Sequence, residues 1–390
     1  MNQGVTLPFL AGLRPGFVLN FLMAVVVALA GLAGLLAGAP AGAPPMALLA
    51  LTFAVLMGVF SDAIARKTGA PGHGLTLLGI AVALAYAAWV LTVAAPGGAG
   101  VAFWAAVIAV WLGAWMLVAM VTGLPHRPLP RRSGLSGTAL ALVPPAVFGL
   151  TLIWLWEVVV TALAVPRVIL PAPSLIGARI ASSLDILWID FVQTFVKGAL
   201  TGYAIGVAAA IGFALLVDRS DFLKRGLLPV GSFVAALPII GIAPIMVMWF
   251  GFDWPSKAAV VVAMVFFPML VNTVQGLAAA DRMQRDLMHT WSASWVQGLV
   301  YLRLPAAMPF VFNGLKICAT LALIGAIVAE FFGSPTRGMG FRISTEVGRL
   351  QLDMVWAEIA VAALAGSAFY GFWALLERRV TFWHPSQRGR

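Results

Sequence analysis

Cysteine and histidine are scarce in this chain of 390 residues, which has one cysteine and four histidines. Cys318 has no partner for an intrachain disulfide, and a zinc site built from four cysteines is excluded. The histidines, His73, His126, His289 and His384, are scattered, and the sequence has neither an H-E-x-x-H nor a G-x-x-x-x-G-K-[ST] motif. These absences argue against a zinc hydrolase and a P-loop ATPase. We expect no catalytic residue, metal site or cofactor in this chain.

Charged residues are also rare, at 10% of the sequence, whereas hydrophobic residues make up 62%. Ordinary soluble domains carry about 25% charged residues. Several apolar runs reach the roughly 20 residues that a helix needs to cross the hydrocarbon core. The composition therefore predicts an all-α integral membrane protein. The net charge of +10 does not indicate nucleic acid, because the basic residues lie in short loops between the apolar runs.

The apolar runs predict about ten transmembrane helices, and the first is interpreted as a retained span because no clear cleavage site follows it. The predicted spans are 17–38, 46–65, 74–95, 101–122, 139–163, 192–217, 228–251, 256–277, 305–332 and 354–376. Sixteen of the 24 Lys and Arg residues lie in the termini and the loops on one side. The positive-inside rule then places both termini in the cytoplasm.

A segment rich in Pro, Gly and Arg, "GLPHRPLPRRSGLSG", interrupts the apolar pattern after the fourth span. Such a composition is typical of a linker that cannot continue a helix. The predicted domains are four N-terminal spans in 1–122, a basic cytoplasmic linker in 123–138, a six-span domain in 139–380 and a basic tail in 381–390. No internal repeat relates the two halves, which argues against a secondary transporter built from inverted repeats.

A segment with polar and aromatic residues, "HTWSASWVQGLVYLRLP", precedes the ninth span on the predicted cytoplasmic side. Counted backwards from Leu304-Pro305, its spacing matches the EAA motif of ABC importer permeases. The motif positions are held by Asp286, Leu287, Met288, Ser292, Leu302, Leu304 and Pro305. The spacing is complete, although Asp replaces Glu, Leu-Met replaces Ala-Ala, Ser replaces Gly and Leu replaces Ile.

Over about residues 150–380 the chain resembles ABC importer permeases of the nitrate/sulfonate/taurine/pyrimidine-precursor branch. Segments such as "LPIIGIAPIMVMWFG" and "LIGAIVAEFFG" carry the same resemblance. The resemblance implies a type I permease core of six helices preceded by four extra spans, in a bacterial inner membrane. It also implies a second permease subunit, in a homodimer, and cytoplasmic ATPase subunits that hold ATP and Mg. A periplasmic or lipid-anchored binding protein would deliver a sulfonate, a nitrate-like anion or a heterocyclic vitamin precursor.

The resemblance implies that the coupling region, residues 281–303, docks on the ATPase. Trp291, Trp295 and Leu299 recur every four residues, which predicts one apolar face. Ser292 stands where the family has Gly. Because serine does not readily take a positive φ, we expect a turn less sharp than the family's.

Three further predictions concern the coupling region, the packing of the spans and the outer surface. Asp286 is expected to pair with Arg282 or Arg285. The series Gly198, Gly202 and Gly206 predicts close helix packing. The segment 173–190 is expected to form an amphipathic helix on the outer surface.

The translocation path is predicted around Pro238, Gly241 and Pro244, which interrupt the seventh span and free backbone carbonyls. Ionisable groups inside spans are costly and often functional, so Lys316 and Glu330 are candidates for this path. Lys316 is expected to face the pore, contact a polar neighbour or snorkel.

Hydrogen-bonding and charged side chains within the spans have structural interpretations as well. Asn313 is a candidate for the path, although Asn272, Thr273 and Asn313 are better explained as partners in interhelical hydrogen bonds. Glu330 is a candidate for a charge pair with Lys197.

Two other classes of protein stay open. A secondary transporter or channel that needs no ATPase would carry repeated broken helices and several charges at one membrane depth. A membrane enzyme or scaffold would carry a cluster of polar residues at one face. The sequence shows neither feature clearly.

Overall fold

The computed structural model describes most of the chain after residue 100. The described ranges are 101–123, 135–220, 238–333 and 337–384, with single positions within 81–92 and 222–226. These residues form helices and connecting turns and contain no β-strand. The predicted spans 17–38 and 46–65, and most of 74–95, lie outside the described residues, as do most of the linker 123–138 and of the tail 381–390.

Within the described residues, five helical stretches are long and apolar enough to cross a membrane. They are Leu142–Ala162, Leu184–Asp218, Trp254–Ala278, Trp295–Gly333 and Leu352–Val380. Each overlaps one of the predicted spans between 139 and 376. A shorter apolar helix, Ile239–Phe250, covers the second half of the predicted span 228–251.

The chain divides into two compact units, Met1–Ser174 and Leu175–Arg390. In the first unit, α1 (Val101–Gly123) packs on α2 (Leu135–Ala162). Phe103 and Val110 of α1 and Val158 of α2 are buried in their shared core. The shared apolar core stabilises the pairing of these two helices.

The remaining helices begin at the end of the first unit and continue through the second. Two π-helical segments each connect one α-helix to the next. In chain order, the elements are α3 (Pro173–Ser182), α4 (Leu184–Phe191), a π segment (Val192–Leu200), α5 (Thr201–Asp218), α6 (Ile239–Phe250), α7 (Trp254–Ala278), α8 (Arg282–Thr290), α9 (Trp295–Gly298), a second π segment (Leu299–Arg303), α10 (Leu304–Gly333), α11 (Met339–Gly348) and α12 (Leu352–Val380).

Helix α7 is the centre of the second unit and packs against both α5 and α10. A methyl group on Gly202 would lie 2.6 Å from Cβ of Val261, and one on Gly206 would overlap Val265. The absence of side chains at these glycines lets α5 approach α7 closely, as the spacing predicts. This contact holds together α5 and α7, the two helices whose ends contact the coupling region.

The segment 173–190 does not form one amphipathic helix, and that prediction is wrong. Helix α3 ends at Ser182, and α4 begins at Leu184. From Leu184 the chain continues through the π segment into α5 as a single apolar stretch of 35 residues. Only α3 is a separate short helix, because the apolar run of the following span extends further back than the sequence pattern suggested.

Candidate functional site

The coupling region consists of two short helices between the long helices α7 and α10. Helix α8 is capped by Asp281, whose side chain accepts a hydrogen bond from the amide of Met283 at 3.1 Å. Helix α9 is capped by Ser294, which forms a reciprocal capping box with Gln297. Each cap satisfies amide groups that the first turn of a helix leaves without partners. Both helices thus have their own start signals in the sequence.

Ser292 forms the turn between α8 and α9 with a φ of 53°. The amide of Ser292 donates to the carbonyl of His289, and the amide of Ala293 donates to that of Met288, both at 3.0 Å. This pair of hydrogen bonds is the Schellman motif, whose left-handed residue is usually glycine. The expectation that serine gives a less sharp turn is wrong, because Ser292 adopts the left-handed conformation. The turn explains the need for glycine at this motif position.

We expect Ser292→Gly to stabilise the turn by about 1 kcal/mol, because glycine takes the left-handed conformation without the steric cost that a Cβ imposes. Ser292→Val should destabilise the turn, since a β-branched side chain fits that conformation worse. Hydrogen exchange at the amides of Ser292 and Ala293 would measure both changes. Slower exchange in the glycine variant and faster exchange in the valine variant are the expected pair. Equal exchange in both would contradict the role of the left-handed turn.

The exposed apolar face of the coupling region differs from the one that the sequence predicts. Leu299 is buried, and it packs with Leu277 and Ala307. The turn at Ser292 breaks the four-residue periodicity, so that Trp291, Trp295 and Leu299 do not share one helix face.

The exposed apolar stripe instead consists of Met283, Leu287 and Trp291, which follow one another at four-residue spacing along α8 and its C-cap. These side chains are 77%, 56% and 79% exposed. Asp286 is also exposed, whereas Met288, Leu302, Leu304 and Pro305 are half-buried. The motif residues therefore divide into an exposed group, Asp286, Leu287 and Ser292, and a half-buried group, Met288, Leu302, Leu304 and Pro305.

Three arginines attach the coupling region to α5 and α7. The Arg303 guanidinium bonds both carboxylate oxygens of Asp218, at the end of α5, and its Nε donates to the carbonyl of Leu277 at 3.1 Å. Arg285 donates to the carbonyls of Ala278 and Ala280 at 2.6 Å. These contacts join the coupling region to the ends of two membrane helices.

The third arginine, Arg219, lies with its guanidinium 4.9 Å from the centre of the Trp295 ring. This distance suits a cation–π contact. Asp286 forms no ion pair with Arg282, Arg285 or any other described residue, so the expected pairing is wrong. Arg285 bonds backbone carbonyls instead, because the last turn of α7 leaves them without intrahelical partners.

The candidate path residues have individual partners within the second unit. Asn313 donates to Asn272 at 3.2 Å across α7 and α10, which confirms the interhelical hydrogen bond. Lys316 forms an ion pair with Glu377 of α12 at 2.7 Å, so that it contacts a polar neighbour. Thr273 bonds the carbonyl of Met269 on its own helix, so the prediction of an interhelical hydrogen bond is wrong for Thr273. The contacts of Asn313 and Lys316 join α10 to α7 and α12, and a role of these residues in the path stays a prediction.

Pro238 precedes α6 as its N-cap, and Pro244 lies inside that helix. The amide of Gly241 donates to the carbonyl of Pro238 at 2.9 Å. The sequence before Pro238, where the predicted span begins, lies outside the described residues. The role of these three residues in a path stays a prediction.

Glu330 lies at the far end of α10 and is 1% exposed. Its carboxylate contacts Thr194 Oγ1 at 2.8 and 2.9 Å and accepts a hydrogen bond from the amide of Gly340 at 2.8 Å. Lys197 is exposed and forms no pair with Glu330, so that prediction is wrong. The cation beside Glu330 is instead Lys257. It is 1% exposed, within α7.

Charged residues from five elements lie together around Glu330, four of them buried and Arg342 half-buried, and the sequence analysis missed this group. They are Asp190, Lys257, Glu330, Arg342 and Glu358. They lie far apart in the sequence, and no local motif connects them. Each occurs singly in an apolar or amphipathic helix, and this isolation of a charge is the one signal that could have identified the group.

The long apolar helices, with a two-helix amphipathic segment between α7 and α10, define a subunit of a membrane transport system. Residues 202–382 match the family described as the binding-protein-dependent transport system inner membrane component. A formylaminopyrimidine transport permease of Halalkalibacterium halodurans is 30% identical, covering 62% of this chain and 96% of that protein. The chain belongs to this family of ABC transporter permeases.

Two further relatives illustrate the range of transport systems in this branch. A riboflavin transport system permease of Chloroflexus aurantiacus is 30% identical over 63% of this chain and 91% of its own length. A putative aliphatic sulfonates transport permease of Bacillus subtilis is 28% identical over 65% of this chain and 90% of its own. The matches agree with the branch that the motifs indicated.

Proposed function

We propose that this chain is the membrane-spanning subunit of an ATP-driven importer that moves a small solute into the cytoplasm of a bacterium. A separate ATPase would bind ATP and Mg and supply the energy. The observation that carries the proposal is the exposed apolar stripe of Met283, Leu287 and Trp291. It lies on a short helix that arginines attach to two membrane helices.

The exposed apolar stripe suits a helix-in-groove contact, in which residues at four-residue spacing enter a cleft of a partner. Leu287 and Trp291 are large apolar side chains that a soluble ATPase surface could cover. Because Arg303 and Arg285 bond the ends of α5 and α7, a movement of the docked helix would reach the membrane helices directly. This is how nucleotide-driven closure of the ATPases would change the access of the path.

The proposed architecture has ten transmembrane helices, with four N-terminal spans before a type I core of six and both termini in the cytoplasm. One described helix corresponds to each of the six predicted spans between 139 and 376, which supports the core. The basic linker 123–138 and tail 381–390 would lie on the cytoplasmic side. The inner membrane is the corresponding location in a bacterium.

The proposed partners are a second copy of this chain, two ATPase subunits, a periplasmic or lipid-anchored binding protein and membrane lipid. The substrate is a sulfonate, a nitrate-like anion or a heterocyclic vitamin precursor. Relatives named for formylaminopyrimidine, riboflavin and aliphatic sulfonate transport support this range. The binding protein would select among these compounds, and the chain would provide the path.

A secondary transporter or channel without an ATPase is the second candidate. It is favoured by one observation, the buried charges around Glu330, since several charges at one depth are what such a protein would carry. These charges have partners on neighbouring helices, however, as a structural cluster would. The two candidates differ in whether transport needs the ATPase.

The proposal is tested by copurification of this chain with an ABC ATPase from the same genome, followed by transport in vesicles. Leu287→Asp should reduce copurification about tenfold or more, because a charge in an apolar cleft is desolvated without a partner. Asp286→Arg should also weaken the complex by reversing an exposed charge on the docking helix. His289→Asp, on the opposite side of α8, is the matched control and should retain the ATPase. Substrate uptake by the chain alone would refute the proposal.

A further inference from the structure

A buried charged cluster lies at the end of α10 remote from the coupling region. Asp190 of α4 and Glu358 of α12 are 0% exposed, and Glu330 of α10 and Lys257 of α7 are 1% exposed. Arg342 of α11 completes the cluster through its ion pair with Asp190. From Arg303 to Glu330 is about 40 Å along a helix that rises 1.5 Å per residue. The cluster and the coupling region therefore lie at opposite ends of α10.

Asp190 and Glu330 hold the start of α11 through hydrogen bonds. Asp190 accepts from the amide of Gly338 at 2.7 Å and from Nε of Arg342 at 2.8 Å. Glu330 accepts from the amide of Gly340 at 2.8 Å. The amide of the intervening Met339 donates to Thr194 at 2.7 Å. Three successive amides thus bond buried side chains of α10, α4 and the π segment that follows α4.

Glu358 differs from the other two acids because neither of its oxygens accepts a hydrogen bond from a described residue. Its carboxyl group adjoins that of Asp190 and has Arg342 and Glu330 within electrostatic range. Glu346, the remaining acid nearby, pairs with Arg349 at 3.3 Å and lies 3.9 Å from Arg342. A carboxylate that is buried without a donor is strongly disfavoured, and two adjacent carboxylates do not both ionise readily.

The charges of the cluster balance when one of its three acids is neutral, and Glu358 is the one whose oxygens accept no hydrogen bond. Asp190 and Glu330 supply two negative charges, and Lys257 and Arg342 supply two positive ones. An ionised Glu358 would add a third negative charge with no cation to match it. Lys257 bonds the carbonyls of Phe252, Asp253 and Gly333 and so fixes its positive charge beside Glu330.

We infer that Glu358 is a buried proton-binding site, in which its carboxyl group donates a hydrogen bond to Asp190 and thereby positions Asp190 for Gly338 and Arg342. The proton is bound from water and stays on a Glu358 oxygen, so no covalent bond between heavy atoms is formed or broken. Loss of this proton would set two carboxylates against each other. The start of α11 would then lose its attachment to α4.

The consequence for transport rests on the proposed function. With the coupling region on the cytoplasmic side, α11 lies at the outer end of α10, where a binding protein would deliver substrate. Release of the proton would weaken the attachment of α11 to α4 and leave the contact between the coupling region and the ATPase unchanged. Glu358 is therefore a positioning residue for the outer end of the path.

The test compares Glu358→Gln with Glu358→Leu in the full chain, reconstituted in lipid discs without substrate or ATPase. Glutamine cannot ionise but can still donate to Asp190, whereas leucine fills similar space without a donor. The wild-type infrared spectrum should show a protonated carboxyl band that both variants lack. Pulse proteolysis across neutral to alkaline pH should then report folding of each chain.

In the wild type, the unfolding equilibrium constant should rise about tenfold per pH unit until Glu358 ionises in the folded state, because only the folded state keeps the proton. Glu358→Gln should lack this slope and should therefore be more stable than the wild type at neutral and alkaline pH. Glu358→Leu should be less stable at every pH. An unchanged infrared band in Glu358→Gln, or equal destabilisation by both substitutions, would overturn the inference.

A bound cation is the other way to neutralise the cluster. Wild-type stability that depends on sodium or magnesium at constant ionic strength would also overturn the proton site. These measurements involve neither ATP nor substrate, so their failure is separate from a failure of the importer proposal. Transport with the ATPase then tests the consequence, and Glu358→Gln should transport at alkaline pH where the wild type loses activity.

Discussion

Arg303→Ala is expected to reduce substrate transport about tenfold or more while the associated ATPase continues to hydrolyse ATP. Arg303 bonds both oxygens of Asp218 and the carbonyl of Leu277, and so joins the coupling region to α5 and α7. Removing a charged partner of this kind costs about 2 kcal/mol and leaves Asp218, whose side chain is 7% exposed, without its cation. The measurement is the ratio of solute transported to ATP hydrolysed in vesicles.

Charge reversal separates this coupling role from general loss of structure. Asp218→Arg and Arg303→Asp should each uncouple transport, and the double variant should recover part of it because the two charges attract again. Arg379→Ala is the matched control, since Arg379 is exposed and its side chain forms no hydrogen bond or ion pair with another described residue. A double variant as inactive as either single variant would contradict this prediction. It would show that attraction between Arg303 and Asp218 does not transmit movement from the coupling region to α5.

Gly340→Ala is expected to abolish recovery of folded protein. A methyl group there would overlap the backbone carbonyl of Ile327 and lie 2.8 Å from Cβ of Glu330. Overpacking of a tight core costs about 1–3 kcal/mol, and a clash with backbone falls at the upper end because no side chain can rotate away. The displaced amide of Gly340 would also cease to donate to Glu330.

The control for this prediction lies in the same helix. Gly348→Ala places a methyl group where no atom lies within 4 Å, so it should leave the yield of monodisperse protein and its thermal midpoint near those of the wild type. The comparison removes helix propensity as an explanation, because both substitutions exchange glycine for alanine in α11. Equal yields from the two variants would contradict the packing argument.

The spans were predictable because length and apolarity are local properties of the sequence. The predicted span 256–277 corresponds to α7, Trp254–Ala278, and the span 305–332 corresponds to α10, Leu304–Gly333. The hydrocarbon core requires about 20 apolar residues in a row, and few other structures satisfy that requirement. The spacing of the EAA motif was likewise visible in one continuous segment.

The exposed face of the coupling region was not predictable in the same way. The four-residue recurrence of Trp291, Trp295 and Leu299 suggested one face, but the left-handed turn at Ser292 changes the helix direction between them. Leu299 is then buried against Leu277 and Ala307. A periodicity argument assumes one continuous helix, and a single backbone angle invalidates it.

The sequence by itself determined that this protein is helical, lies in a membrane and carries a permease coupling motif before α10. The tertiary structure decided which charges meet. Asp190 bonds Gly338 across 148 positions of sequence, and Thr194 contacts Glu330 across 136. Such partners are chosen by which helix ends pack together, and buried charges are retained only where that packing supplies a donor or a counter-charge. The local sequence pattern does not indicate which helix ends pack together.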